Sequence, residues 1–227
     1  MQNNTFIEEI TESSERRRYE RLVRKLPIYF DIYEDNLIDI SRKKFSTQTQ
    51  DIGLGGVSFD AVIEDMILAR NLIEKKIKLN LNIRLIEKNS EITSKANIAW
   101  MFNLKGLPIQ SKYGLGLHFI DMGNDERDTL STYLKEMFSL QREQSAKNRQ
   151  KIKQTLAQIA KVNENSFSEN TLIREELGVD SLMAMETLAA LETVYEIEID
   201  ESRAFDVVTV ADMMNLIEEY LQNNTTR

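Results

Sequence analysis

At about residue 124 the apolar residues of this 227-residue chain change their spacing, from every second position to every third or fourth. That change admits a fold whose first part is built from strands and whose second part is built from helices. Residues 77–85, IKLNLNIRL, alternate Ile77, Leu79, Leu81, Ile83 and Leu85 with Lys78, Asn80, Asn82 and Arg84, which makes a strand with one wet face. LPIYFDIY (26–33), GVSFDAVI (56–63), ITSKANIAWMF (92–102) and YGLGLHFI (113–120) read as further strands, rich in β-branched and aromatic residues. Turn-forming clusters such as EKNSE and NLKG separate several of them. Short strands with turns between them predict an antiparallel barrel or sandwich. Trp100 and the nearby phenylalanines are expected in its core, and His118 on its outer face.

Beyond the switch, Leu130, Tyr133, Leu134, Met137 and Phe138 form one apolar helical face. Residues 141–151, QREQSAKNRQK, hold almost nothing apolar and read as a solvated helix or a flexible tether. Ile152, Leu156 and Ile159 then begin a second amphipathic helix. A third begins near Ser181, with Leu182, Met185, Leu188, Ala189, Leu191 and Tyr195 on roughly one half of the wheel. A last helix starts at Thr209, where Asp212 completes a pattern similar to a capping box, and Val210, Met213, Met214, Ile217, Tyr220 and Leu221 give it an apolar face. The expected division is a flexible N-terminus (1–13), a barrel domain with a closing helix (14–140), a linker or bridging helix (141–148) and an all-α bundle (149–227).

Charge divides the same way. Residues 151–227 hold 15 acidic and 6 basic side chains, whereas the rest of the chain is nearly balanced, at 22 against 23. Such asymmetry predicts two modules with different partners. There is no cysteine, which excludes disulfides and thiolate metal sites, and the one histidine, His118, nearly excludes a histidine metal site or a Ser–His triad. No apolar run reaches the roughly 20 residues that span a bilayer, and the N-terminus lacks a signal-peptide core. A cytoplasmic protein is expected, with no metal site, no catalytic residues and no DNA or RNA partner.

The helix beginning near Ser181 carries the most specific motif, GVDSLMAME (178–186). A serine there has a plain explanation as a helix N-cap. The triplet Asp180-Ser181-Leu182, preceded by Gly178, together with DSLMAMETLAALETVYEIEI and ESRAFDVVTVADMMNLIEEYL, closely resembles an acyl carrier protein over about residues 149–224. The resemblance implies that Ser181 carries covalent 4′-phosphopantetheine, installed from coenzyme A by a phosphopantetheinyl transferase with Mg²⁺. It also implies that acyl-loading, acyl-transferring or synthase enzymes dock on acidic side chains, here Glu186, Glu192, Glu196 and Glu198, each of which reads equally as part of a solvated face. Leu182, Met185, Leu191 and Met213 are the expected lining of an apolar pocket for the cargo.

The first module has its own motifs. RRRYER (16–21) places Arg17 and Arg21 four apart, Asp51-Ile52-Gly53-Leu54-Gly55-Gly56 follows about thirty residues later, and NIAW and YGLGLHFIDM come further on. Together these resemble a PilZ domain over about residues 14–137, a small antiparallel β-barrel that binds cyclic di-GMP. The resemblance implies that Arg17, Arg21, Asp51, Gly53 and Gly56 meet the ligand. Arginine forks suit phosphate oxygens and the guanine edge, a carboxylate suits guanine N–H groups, and Gly56 permits close backbone approach. One position departs from the family pattern: Gly53 stands where the motif has serine, and the lost hydroxyl is worth about 0.5–1.5 kcal/mol. Arg24 matches no motif position.

Two readings follow. In one, a cyclic di-GMP receptor regulates a carrier of acyl or related thioester cargo. In the other, the barrel binds no nucleotide and tethers the carrier to a biosynthetic complex. No nucleophile–base set recommends a self-contained enzyme.

Overall fold

The computed structural model describes residues 19–33, 44–64, 66–74, 77–105, 111–204 and 206–225. The chain divides into two compact units, Met1–Phe138 and Ser139–Arg227.

In the first unit, strands β1 (Leu22–Val23), β2 (Pro27–Tyr33), β3 (Phe45–Gly53), β4 (Gly56–Ile63), β5 (Lys78–Leu85), β6 (Ser90–Lys105) and β7 (Ser111–Asp121) form one antiparallel sheet. Its order is β1-β3-β2-β5-β6-β7-β4, and an added β3–β4 pairing closes β2 to β7 into a six-stranded barrel. Helix α1 (Met66–Ile73) lies between β4 and β5. The alternation read in residues 77–85 holds: Leu79, Leu81, Ile83 and Leu85 are buried, while Lys78 and Arg84 are exposed. Ile28, Phe59, Leu115 and Leu117 join them in the core, together with Leu130, Tyr133, Leu134 and Met137 from the first turns of α2 (Asn124–Ala160).

Neither β3 nor α1 is legible as an element in the sequence, because FSTQTQDIG carries little apolar signal and α1 has only eight residues. Burial on β3 is set by partners. Buried Thr49 accepts from the Leu26 amide at 3.0 Å and donates to the Arg24 carbonyl. That stitch turns the chain between β1 and β2, which lie end to end along the same edge of β3.

The second unit takes in the later turns of α2, within which residues 141–148 fall. It continues through α3 (Ser181–Tyr195), the short α4 (Glu201–Ala204) and α5 (Val210–Thr225), with an isolated bridge between Leu172 and Thr209. Ile152, Leu156, Phe167, Ile173, Val179, Leu191, Val210, Met213 and Ile217 form its core. The capping box at α5 is present. The Thr209 side chain accepts from the Asp212 amide at 3.1 Å, and the Asp212 carboxylate accepts from the Thr209 amide at 2.8 Å. Among the described residues no helix is long and apolar enough to cross a membrane.

Candidate functional site

Helix α3 begins at Ser181. Gly178 precedes it with φ +68°, a left-handed conformation that favours glycine. Asp180 is the N-cap, and its carboxylate accepts from the Met183 amide at 2.9 Å. The capping role that would explain Ser181 in plain structural terms is therefore filled by its neighbour. The Ser181 hydroxyl is exposed, stands at the first helical position and has no hydrogen-bond partner among the described residues.

The face that α3 buries differs from the expected one. Leu182 and Met185, read as pocket lining, are 72% and 50% exposed, whereas Thr187 and Leu191 are fully buried. Apolar side chains surround most of this helix, so their spacing alone did not select a face. Thr187 tolerates burial because its hydroxyl donates to the Met183 carbonyl at 2.8 Å. Leu191 and Met213, read as lining with Leu182 and Met185, are buried in the core. Of the four glutamates read as docking residues, Glu186, Glu196 and Glu198 are exposed. Glu192 is half-buried, and its side chain accepts from the Ile199 amide at 2.8 Å, which gives it a structural task.

On the barrel, Asp51 to Gly56 is a hairpin rather than a loop. Gly53 ends β3, Gly56 begins β4, and only Leu54 and Gly55 lie between them. The register slips by one residue between Thr49 and Asp51. Thr49 pairs with core Phe59 and Ile52 pairs with core Val57, so the extra residue, Gln50, reverses the inside–outside parity and turns Asp51 outward. There it forms an ion pair with Arg21, and both side chains are partly buried. Arg21 Nη2 is buried without a hydrogen-bond partner among the described residues. Arg17 lies outside the described residues.

The segment that bears Arg21 rests on the hairpin glycines. A Cβ built on Gly53 would stand 2.7 Å from the Glu20 carbonyl oxygen, and one on Gly55 would stand 2.9 Å from the Tyr19 ring. Gly56 also admits a close approach, but from inside the fold. A Cβ there would lie 2.0 Å from the Leu117 carbonyl oxygen of β7, so this glycine serves the pairing of β4 with β7.

A second slip, between Ile98 and Trp100 on β6, has the same effect. Ile98 remains in the core, and Trp100 faces out, 40% exposed, against its expected burial. Its ring lies over Gly116 and stacks on Phe102, itself 52% exposed, with centroids 5.1 Å apart. Asp51 pairs with Ser58, Ser58 with Gly116, and Gly116 with Trp100. One row across four neighbouring strands therefore joins the arginine–aspartate pair to the aromatic pair, a span of roughly 14 Å at ordinary strand spacing. Sequence reasoning missed Trp100 because a one-residue bulge leaves no compositional mark. His118, also on β7, is exposed on the outer face, as read.

The phosphopantetheine attachment site family matches residues 150–217, and the PilZ domain family matches residues 15–136. The chain is 32% identical over 78 residues to polyketide-8 synthase acyl carrier protein 1 of Streptomyces avermitilis, covering 34% of this chain and 93% of that protein. Two solved structures are similar to its first module. The PilZ domain of Escherichia coli YcgR with c-di-GMP is 18% identical with a TM-score of 0.38, covering 58% of this chain and 96% of that one. The Bacillus subtilis inhibitor of motility MotI/DgrA is 19% identical with a TM-score of 0.35; the match covers 55% of this chain and about half, 52%, of that one.

Proposed function

We propose, for a chain that belongs to the PilZ family through residues 15–136 and to the acyl carrier proteins through its C-terminal module, that Ser181 bears 4′-phosphopantetheine and that the barrel reads cyclic di-GMP. Both families are carriers and receptors rather than catalysts. The observation that carries the first part is the division of labour at the start of α3, where Asp180 caps the helix and Ser181 is exposed with no hydrogen-bond partner for its hydroxyl among the described residues. A phosphodiester at Ser181 Oγ would sit at the positive end of the helix, where backbone amides favour negative charge. The chain has no cysteine of its own, and the bound group supplies the thiol on which thioester cargo rides.

The C-terminal module is read as an all-α acyl-carrier bundle over 149–227, joined to the barrel domain (14–140) through residues 141–148. Its partners are a phosphopantetheinyl transferase and the loading, transferring or synthase enzymes that use the cargo. The exposed Glu186, next to Met185 and Leu182 at the start of α3, and the exposed Glu196 and Glu198 at and beyond its C-terminal end, offer those enzymes an acidic surface with apolar relief.

On the barrel, Arg21, whose Nη2 has no partner among the described residues, Asp51 and the exposed Trp100 ring are the groups offered to a phosphate and a purine. Arg17, Gly53 and Gly56 are the remaining positions that the resemblance assigns to the ligand, Gly53 standing where the motif has serine. Binding there regulates which partners the carrier meets. Gly53 favours a second reading, a scaffold that binds no nucleotide, since it lacks the motif's hydroxyl.

Intact-mass spectrometry after incubation with coenzyme A, Mg²⁺ and a broad-specificity transferase tests the carrier. One phosphopantetheine is expected on the native chain and none on Ser181→Ala; equal loading of both refutes the assignment. Calorimetry with cyclic di-GMP separates receptor from scaffold. Saturable binding lost in Arg21→Ala supports the receptor, and no heat in the native chain supports the scaffold.

A further inference from the structure

Arg24, three residues beyond Arg21, has a defined set of partners. Its amide donates to the Gln50 carbonyl at 3.2 Å, which ties it to β3 beside Asp51. Its guanidinium forms an ion pair with one oxygen of Glu87, in the single 3₁₀ turn Ile86–Lys88 that joins β5 to β6. The other Glu87 oxygen accepts from the Tyr133 hydroxyl at 3.0 Å. Tyr133 is fully buried and belongs to α2. The next residue of the turn repeats the link, as Lys88 pairs with Glu136, one turn further along α2, at 2.6 Å.

Glu87 is thus divided between two elements with no sequence proximity. One is the edge segment carrying Arg21, and the other is the helix that closes the barrel. A carboxylate in this position is fully satisfied only when both partners are in place, and loss of either weakens its hold on the other. We infer that Arg24, Glu87 and Tyr133 form a relay that positions the Arg21 segment, so that its docking on the β3–β4 hairpin and the anchoring of α2 rise and fall together. The relay rests on the receptor reading for its meaning, since it names how occupation of the Arg21 site would be felt by the helix. Its existence is testable without ligand.

Amide hydrogen exchange on the full chain provides that test, with residues 19–26 and 127–138 as reporters and residues 113–120 as the reference. Tyr133→Phe keeps the ring and removes the hydroxyl, and Glu87→Gln keeps the shape and removes the charge. Each is expected to speed exchange of 19–26 several-fold without moving the reference. Arg24→Gln is expected to speed exchange of 127–138 in return, because coupling is reciprocal. The Arg24→Gln/Tyr133→Phe pair should do little more than the stronger single variant. Unchanged exchange of 19–26 in Glu87→Gln overturns the relay. So does a rise matched by the reference segment, which indicates general destabilisation, and so do additive effects in the pair. Linked exchange with no added protection from cyclic di-GMP keeps the relay and refutes the receptor.

Discussion

Replacing Gly53 by serine, the residue that stands there in the family's motif, is expected to loosen the Arg21 segment rather than improve the site. The new Cβ would stand 2.7 Å from the Glu20 carbonyl oxygen and 3.3 Å from Arg21 Cγ. The nearer contact is with backbone, so residues 19–21 must lift by several tenths of an ångström. Forcing extra atoms into a closed contact costs about 1–3 kcal/mol, and a regained hydroxyl bond returns about 0.5–1.5 kcal/mol. The balance is a loss of about 1 kcal/mol from the docked segment, close to fivefold in its open–closed equilibrium. Exchange of the Leu22 and Arg24 amides, which face β3 through the Leu22–Ile52 pairing and the Arg24–Gln50 bond, reads that equilibrium directly. About fivefold faster exchange at these amides, with the barrel core unchanged, is the expected result. Unchanged or slower exchange refutes the claim that the segment is seated on bare glycine backbone, and returns Gly53 to the status of a simple missing hydroxyl.

Two further outcomes test the framework around the sites. Thr209→Ala removes the acceptor of the Asp212 amide and should lower the unfolding free energy of the C-terminal unit by about 1 kcal/mol, measured by denaturant unfolding. The pKa of Tyr133 is pushed up to about 12, first by burial and then by its bond to Glu87. The fold thus favours the protonated phenol, whose ordinary value is about 10. Its contribution is complete below pH about 10 and disappears as pH rises through about 12. Unfolding followed across that window should lose its steepest part in Tyr133→Phe; a superimposable curve refutes the contribution.

How much was legible in the sequence depends on whether polarity alone decides a residue's side. It does on β5, where alternation maps onto burial without exception among its apolar residues, and at Thr209 and Asp212, where the cap lies within four residues. Asp180 and Gly178 were legible as the doorstep of a helix, but not the fact that the aspartate, and not the serine, caps it. Polarity fails on α3, whose nearly continuous apolar surface left Leu182 and Met185 on the wrong side. It fails for Trp100 and for the orientation of Asp51 because a register slip is a property of two strands at once. The Arg24–Glu87–Tyr133 contacts join positions 63 and 46 residues apart, and no local pattern announces them.

The two slips also bear on how such a surface arises and disappears. Asp51 and Trp100 owe their outward aim to a single surplus residue apiece, Gln50 and Ala99. Were either surplus residue taken into the regular ladder instead of being looped out, a whole strand segment would turn inside out, drawing the carboxylate or the indole into the oily interior and thrusting a neighbour into water. This recognition face therefore depends on where two ladders slip as much as on which side chains they carry.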